Sequence, residues 1–177
     1  GFTLDITPYL TVGENLLAVM VDNSHNPIIA PLAIGYALYG GIYRDVWLIK
    51  TSNIHFEPNY FGADALFFKT PDVSDAEAAF VIEGQLSNSG SSMASVRVEH
   101  TLVAPEGDVV WQDQEELSVI PGKTVSFSSA GKLTTPVLWS PESPSLYTLE
   151  SKIFFNDSLA DELRLRPGFR WFALGSD

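Results

Sequence analysis

The 177-residue chain contains no cysteine, which excludes disulfides, thiolate metal sites and cysteine nucleophiles. Basic residues are scarce, because 10 Lys and Arg stand against 22 Asp and Glu and give a formal net charge of −12. A surface of this charge repels phosphate groups, so binding to nucleic acid or to anionic lipid is not expected. No run of about 18 apolar residues occurs, and the sequence therefore predicts no membrane span.

Long segments of helical period are also missing, apart from single turns such as the one predicted at 7–10. Apolar and polar residues alternate instead with period two, which is typical of β-strands. The predicted strands are 16–21, 43–49, 79–86, 95–103, 108–111, 123–127 and 146–155. Turn residues follow at 105–108, 121–123 and 156–158. The sequence therefore predicts an all-β fold, with an immunoglobulin-like sandwich between residues 53 and 168.

Residues for metal binding or catalysis do not cluster in the sequence. The three histidines, His25, His55 and His100, are far apart and lack the spacing of a metal site. His100 alternates with valines, which favours a histidine in the core or at an edge over a metal ligand. No phosphate-binding, nucleotide-binding or serine-nucleophile motif is present, and we expect no cofactor.

Although these general motifs are absent, three stretches of the sequence are distinctive enough to indicate a protein family. The first covers 5–23, the second is Tyr-Gly-Gly-Ile-Tyr-Arg-Asp-Val-Trp-Leu-Ile at 39–49, and the third begins Leu-Trp-Ser-Pro-Glu at 138. The third stretch continues to 149 and is followed by Gly168, Phe169 and Arg170. In this order and with these gaps, the stretches resemble glycoside hydrolase family 2, and the resemblance covers essentially the whole chain.

The resemblance implies a modular β-glycosidase with a jelly-roll sugar-binding domain, an immunoglobulin-like sandwich and a catalytic (β/α)₈ barrel. By this resemblance, 1–52 is the C-terminal part of the jelly roll, 53–170 is the sandwich and 171–177 begins a linker to the barrel. The barrel and its two glutamates are absent, so we expect a fragment with no catalytic residue. Its implied role is to brace the barrel of a β-galactosidase-type parent and to contribute to the active-site rim. The implied partners are the parent's own barrel and its carbohydrate substrate.

Two groups of residues are candidates for a role in the parent. The loop residues proposed to contact substrate are Asn23, Ser24, His25 and Asn26. Ordinary turn chemistry explains that loop equally well. The motif residues expected to have structural roles are Gly41, Tyr43, Arg44, Asp45, Trp47, Trp139, Pro141, Tyr147, Gly168 and Arg170.

Individual motif residues leave alternatives open. We expect Gly41 to adopt a positive φ in a tight turn, and Tyr43 and Trp47 to share one buried strand face. Arg44 is interpreted as a buried ion-pair partner of another strand or domain, with a sugar or interdomain contact as the alternative. Trp139 is interpreted as a core or edge aromatic, with sugar stacking as the alternative.

A proline before the Gly-Phe-Arg motif predicts that the last strand ends early or lies at a sheet edge, because proline cannot donate to the ladder. Two other function classes are alternatives for the whole chain. An autonomous carbohydrate-binding module stays open, and direct titration with galactosides would separate it from a brace. An adhesion sandwich unrelated to sugars is disfavoured by the motif at 39–49.

Overall fold

The computed structural model describes residues 3–22, 24, 28, 41–60 and 62–172. The chain divides into two compact units, one of Asp5–Lys50 and one of Thr51–Asp177 together with Gly1–Leu4. Within the described residues, every strand lies in the second unit. The strands are β1 (Ile54–Phe56), β2 (Leu66–Val73), β3 (Glu77–Asn88), β4 (Ala94–Val103), β5 (Val109–Val119), β6 (Lys123–Thr134), β7 (Thr148–Phe155) and β8 (Ser158–Leu165).

The strands form two antiparallel sheets of four strands each. In the first sheet, β6 pairs along the whole of β3, while β1 and β2 pair with different parts of the opposite edge of β3. In the second sheet the strand order is β5-β4-β7-β8. This architecture confirms the all-β sandwich that the sequence predicts.

The core lies between the sheets and follows the alternation of the strands. Val98, Leu149 and Ile153 are each 0% exposed, as their place on alternating apolar faces predicts. From the first sheet, Phe80 and Ile82 contribute their side chains to the same core cluster. Burying each side chain of this kind stabilises the fold by roughly 1.5–3 kcal/mol.

Aromatic rings fill one end of this core. Phe169, which is 0% exposed, lies 4.8 Å from the ring of Tyr147, 5.5 Å from Phe68 and 6.0 Å from Phe80, measured between centroids. All three contacts are edge-to-face, a geometry that aromatic quadrupoles favour. Close packing around Phe80 also requires Gly131, because a Cβ there would lie 2.3 Å from Phe80 Cζ.

Two acidic side chains join the sheets. Asp161 on β8 accepts a hydrogen bond at 2.9 Å from the backbone amide of Phe56 on β1. Asp113 on β5 accepts one from the hydroxyl of Ser129 on β6. Because each acid crosses from the second sheet to the first, these bonds fix the sheets relative to each other.

The turns that the sequence predicts are present. Asn156 and Asp157 connect β7 to β8 with φ of 49° and 58°, the left-handed values of a two-residue hairpin turn. β8 ends at Leu165 and is an edge strand, which confirms the prediction drawn from Pro167. Strands β5 and β6 run on to Val119 and Thr134, beyond their predicted ends at 111 and 127, because pairing with β4 and β3 extends them through polar residues.

The unit of Asp5–Lys50 differs from the prediction. Its segments 16–21 and 43–49 are not strands, and the single 3₁₀ turn Thr7–Tyr9 is its one regular element among the described residues. Tyr43 is 85% exposed and Trp47 is 79% exposed, so the predicted buried face is wrong for this chain. The physical reason is that a strand needs a partner for its backbone, and no described residue forms a β-ladder with either segment.

Candidate functional site

The loop after residue 21 was the candidate for substrate contact. In the described part of it, Asp22 Oδ1 accepts hydrogen bonds from both the backbone amide and the hydroxyl of Ser24. The hydroxyl bond and then the amide bond lower the pKa of the Asp22 carboxyl. This is local turn geometry. Asn23, His25 and Asn26 lie outside the described residues.

The motif at 41–47 is exposed. Gly41 has a φ of 100°, which confirms the predicted left-handed turn position. The guanidinium of Arg44 lies 5.4 Å from the centroid of the Tyr43 ring. Arg44 is exposed, and none of the ion pairs between described residues includes it, so its interpretation as an ion-pair partner of another strand or domain stays a prediction. Asp45 and Trp47 are exposed as well.

Four of the motif residues from the C-terminal part do come together. The Arg170 guanidinium stacks 4.9 Å from the centroid of the Trp139 ring, and a Cβ on Gly168 would lie 3.0 Å from Trp139 Cβ. The hydroxyl of Tyr147 accepts a hydrogen bond at 2.9 Å from the amide of Val137, and burial raises the pKa of that hydroxyl.

Backbone pairing holds this group in place. The amide of Trp139 donates to the carbonyl of Phe169 at 2.8 Å, and the amide of Tyr147 donates to the carbonyl of Pro167 at 2.9 Å. Pro141 is exposed in the neighbouring turn, which Ser140 and Ser143 close. The motif therefore holds the segment 167–170 against the sandwich, with Trp139 half-buried and Arg170 exposed.

The next two residues extend this surface. Trp171 is 67% exposed and Phe172 is 77% exposed. Neither residue is among the predicted motif residues, although two consecutive aromatic residues directly after the Gly-Phe-Arg motif are a sequence signal for such a surface. We call Trp139, Arg170, Trp171 and Phe172 the exit patch.

A polar group is enclosed in the core behind β4. His100 is 1% exposed, its Nδ1 lies 2.8 Å from Ser151 Oγ, and its Nε2 has no hydrogen-bond partner. Burial lowers the pKa of His100 to about 4, against the opposing charge of Asp113. The imidazole is therefore neutral at pH 7, and its position confirms the prediction of a core histidine.

Two carboxylates border this histidine. Asp113 and Glu115 are paired across the ladder with His100 and Val98, so they lie on the inner face of β5. Partial burial, followed by the charge of Asp113, raises the pKa of Glu115. The sequence signal for these two inward-facing acids is the alternation Trp-x-Asp-x-Glu-x-Leu from 111 to 117, which puts them on an otherwise apolar face.

The described residues contain no group of three or more histidine, aspartate or glutamate side chains that could hold a metal ion. Among the same residues, none forms a helix long and apolar enough to cross a membrane.

Comparison with known proteins identifies related sequences and folds. The family model described as glycosyl hydrolases family 2 matches residues 64–170. A β-galactosidase of Bacteroides ovatus is 33% identical over 177 residues, covering 98% of this chain and 19% of that protein. A β-glucuronidase of Bacteroides fragilis is 26% identical over 180 residues, covering 100% of this chain and 26% of that protein.

A solved structure agrees with these sequence matches. The structure of Bacteroides uniformis β-glucuronidase 2, covalently bound to cyclophellitol-6-carboxylate aziridine, matches with a TM-score of 0.87 and 32% identity. The match covers 94% of this chain and 20% of that one. The chain therefore spans about a fifth to a quarter of the length of these relatives.

Proposed function

Because this chain belongs to glycosyl hydrolases family 2, we propose that it is a non-catalytic accessory part of a larger β-glycosidase. In this proposal the sandwich of residues 53–170 braces the catalytic barrel. Residues 1–52 complete a jelly-roll sugar-binding domain, and 171–177 lead towards the barrel.

The observation that carries the proposal is a mismatch of lengths. The chain aligns over 98% of its own residues with a relative of which it covers only 19%. Within that small share it builds a sandwich with its own core. A unit that folds around its own core, inside a much longer enzyme, is suited to a supporting role beside the reacting part.

The exit patch supports the bracing role. Trp171 and Phe172 expose large apolar side chains directly after Arg170, which stacks on Trp139. Contiguous exposed apolar groups of this kind mark interaction surfaces. No ion pair joins Arg170 to a carboxylate among the described residues. A guanidinium held over an aromatic ring still has N–H groups free to bond to an acidic or carbonyl partner, and in this proposal the barrel supplies that partner.

The exposed segments of the Asp5–Lys50 unit support the jelly-roll assignment. Leu16 is 97% exposed and Met20 is 92% exposed, in a segment whose pattern is that of a strand. In the parent, we expect 16–21 and 43–49 to pair with further strands of the jelly roll. The loop of Asn23, Ser24, His25 and Asn26 would then contribute to the active-site rim.

For the substrate class, we propose a β-galactoside. The relatives include both β-galactosidases and β-glucuronidases. The choice between a β-galactoside and a β-glucuronide as substrate therefore needs a direct assay. Hydrolysis of nitrophenyl β-galactoside should exceed that of the β-glucuronide when the full-length parent is assayed. The reverse order would overturn this part of the proposal and leave the bracing role unaffected.

The bracing role is tested in the full-length parent by Arg170→Ala and Trp139→Ala. We expect faster thermal inactivation with an unchanged KM, because the substitutions loosen the support and leave the substrate contacts intact. Arg164→Ala is the matched control, since Arg164 is exposed and pairs with Glu150 on a sheet surface. Inactivation rates equal to that of the control would refute the bracing role of this patch.

The second candidate function is an autonomous carbohydrate-binding module. The observation in its favour is a cleft on the sandwich whose geometry is given below. Titration of the isolated chain with galactosides tests the module, whereas the inactivation rates of Arg170→Ala and Trp139→Ala in the parent test the brace, and the two roles do not exclude each other.

A further inference from the structure

The sheet of β1, β2, β3 and β6 carries a cleft on the face turned away from the core. Ile82, Gly84 and Leu86 of β3 are buried, so Glu83 and Gln85 between them lie on the outer face. The cleft has a volume of about 340 Å³. The residues that line it are Tyr60, Phe67, Glu83, Gly84, Gln85, Ser126, Phe127 and Ser128.

The pairing of the strands sets the order of side chains across this cleft. Phe67 of β2 is opposite Glu83, and Glu83 is opposite Ser128 of β6. Gln85 is opposite Ser126. The result is an aromatic wall on one side and a row of hydrogen-bonding groups across the floor.

The aromatic wall is formed by two rings. Tyr60 and Phe67 meet edge-to-face with their centroids 5.2 Å apart. Tyr60 and Ala63 form an isolated antiparallel bridge with two backbone hydrogen bonds, of 2.9 and 3.1 Å, just before β2 begins. Two rings packed in this way form an apolar surface on which the C–H groups of a ligand could pack.

The floor carries acceptors and donors with unused capacity. Lys69 Nζ donates to Glu83 Oε2 at 2.5 Å, and no hydrogen bond from the described residues reaches Glu83 Oε1. Gln85 Nε2 is 3.5 Å from Ser126 Oγ, a long contact. A carboxylate, an amide and hydroxyls in one row match the vicinal hydroxyl groups of a polyol, which both donate and accept.

The charge of the chain and the polarity and volume of the cleft limit the chemical class of ligand that it could bind. The net charge of −12 disfavours phosphates, uronates and other anions, and no lining residue is positively charged, while Lys69 at the edge is already paired with Glu83. The polar floor disfavours a wholly apolar ligand, because its groups would lose their water without replacement. The volume is at the lower end of the roughly 300–1,000 Å³ found for small-molecule sites.

We propose that this cleft is a surface binding site for a neutral saccharide of one or two rings, which packs on Phe67 and Tyr60 and hydrogen-bonds to Glu83, Gln85 and Ser128. The proposal goes beyond the bracing role and does not depend on it. Because the cleft is open and shallow, we expect dissociation constants on the order of 1 mM.

The test is amide chemical-shift mapping by NMR on the isotope-labelled chain. The probes are neutral disaccharides of galactose, glucose, mannose and xylose, with sodium glucuronate as the anionic comparison. At least one neutral disaccharide should give saturable shifts centred on Phe67, Glu83 and Ser128, and glucuronate should bind at least 10-fold more weakly. Shifts that are absent, non-saturating or centred elsewhere would overturn the proposal.

Two surface variants sharpen the result without touching the core. Ser128→Arg fills the cleft from an exposed position and should weaken binding at least 10-fold, while Glu83→Ala should weaken it several-fold. Ser118→Arg, on the exposed face of β5 in the other sheet, is the matched control and should bind like the unmodified chain. Equal affinity of Ser128→Arg and Ser118→Arg would also overturn the proposal. The stability and activity of the parent enzyme test the bracing role separately.

Discussion

The buried His100 should make the sandwich lose stability in mild acid. Its pKa is about 4 in the folded chain, against a value of 6.5 without the fold. A histidine whose pKa is lowered by folding is protonated first in the unfolded state. Stability is therefore complete above pH 6.5 and falls as the pH drops towards 4.

The magnitude follows from these two values. Over the whole window, the shift corresponds to about 3 kcal/mol. Between pH 7 and pH 5 the same two pKa values give a loss of about 2 kcal/mol, and most carboxylates with ordinary pKa values stay ionised over that range. Glu115 acts in the opposite direction, because burial raises its pKa and its protonation on acidification favours the folded state.

The assay is urea unfolding of the chain at a series of pH values between 7 and 5. The double variant His100→Leu with Ser151→Ala removes the titrating ring together with its hydrogen-bond partner, so that no buried hydroxyl is left unpaired. The double variant should no longer lose stability between pH 7 and pH 5, whereas Glu115→Gln should steepen the loss seen in the unmodified chain. Equal stability of Glu115→Gln at pH 7 and pH 5, or an unchanged loss in the double variant, would refute the reasoning.

Three further predictions concern stability at pH 7, each measured as the free energy of unfolding in urea. Leu149→Ala should cost roughly 2–5 kcal/mol, because the side chain is 0% exposed; an unchanged denaturation midpoint would place the core elsewhere. Asp161→Ala should cost about 1–3 kcal/mol by leaving the amide of Phe56 unbonded, and no loss would show that this link between the sheets contributes nothing. Thr135→Gly should stabilise by about 1 kcal/mol, since a β-branched residue is strained at its φ of 46°; Thr134→Gly at the end of β6 is the control and should destabilise, and the opposite order of the two variants contradicts the strain argument.

The sandwich was largely predictable from the sequence because its strands are paired within the chain. Alternation at 95–103 and 146–155 predicted β4 and β7, whose inner residues are buried. Edge strands were harder to predict, because apolar and polar residues alternate less regularly along them. β8 was missed, since its residues are mostly exposed or half-buried, although the hairpin turn before it was predicted.

The segments 16–21 and 43–49 show the limit of the same method. Their apolar alternation indicates strands, but alternation records the face that a segment presents and not whether a partner is present. In the described part of the chain no ladder partner exists for them. The same limit applies to the C-terminal motif. Trp139 and Arg170 could be recognised from the sequence, but their stacking could not, because it depends on the pairing of 138 with 169, two segments far apart in the chain.

The most direct test of the accessory role compares the isolated 177-residue chain with its full-length parent in the hydrolysis of nitrophenyl β-galactoside. We expect the parent to release nitrophenol and the purified chain, though folded, to stay at the level of a buffer blank. Nitrophenol release that follows the purified chain through successive chromatographic steps would contradict an accessory role and would require a reaction centre within these residues.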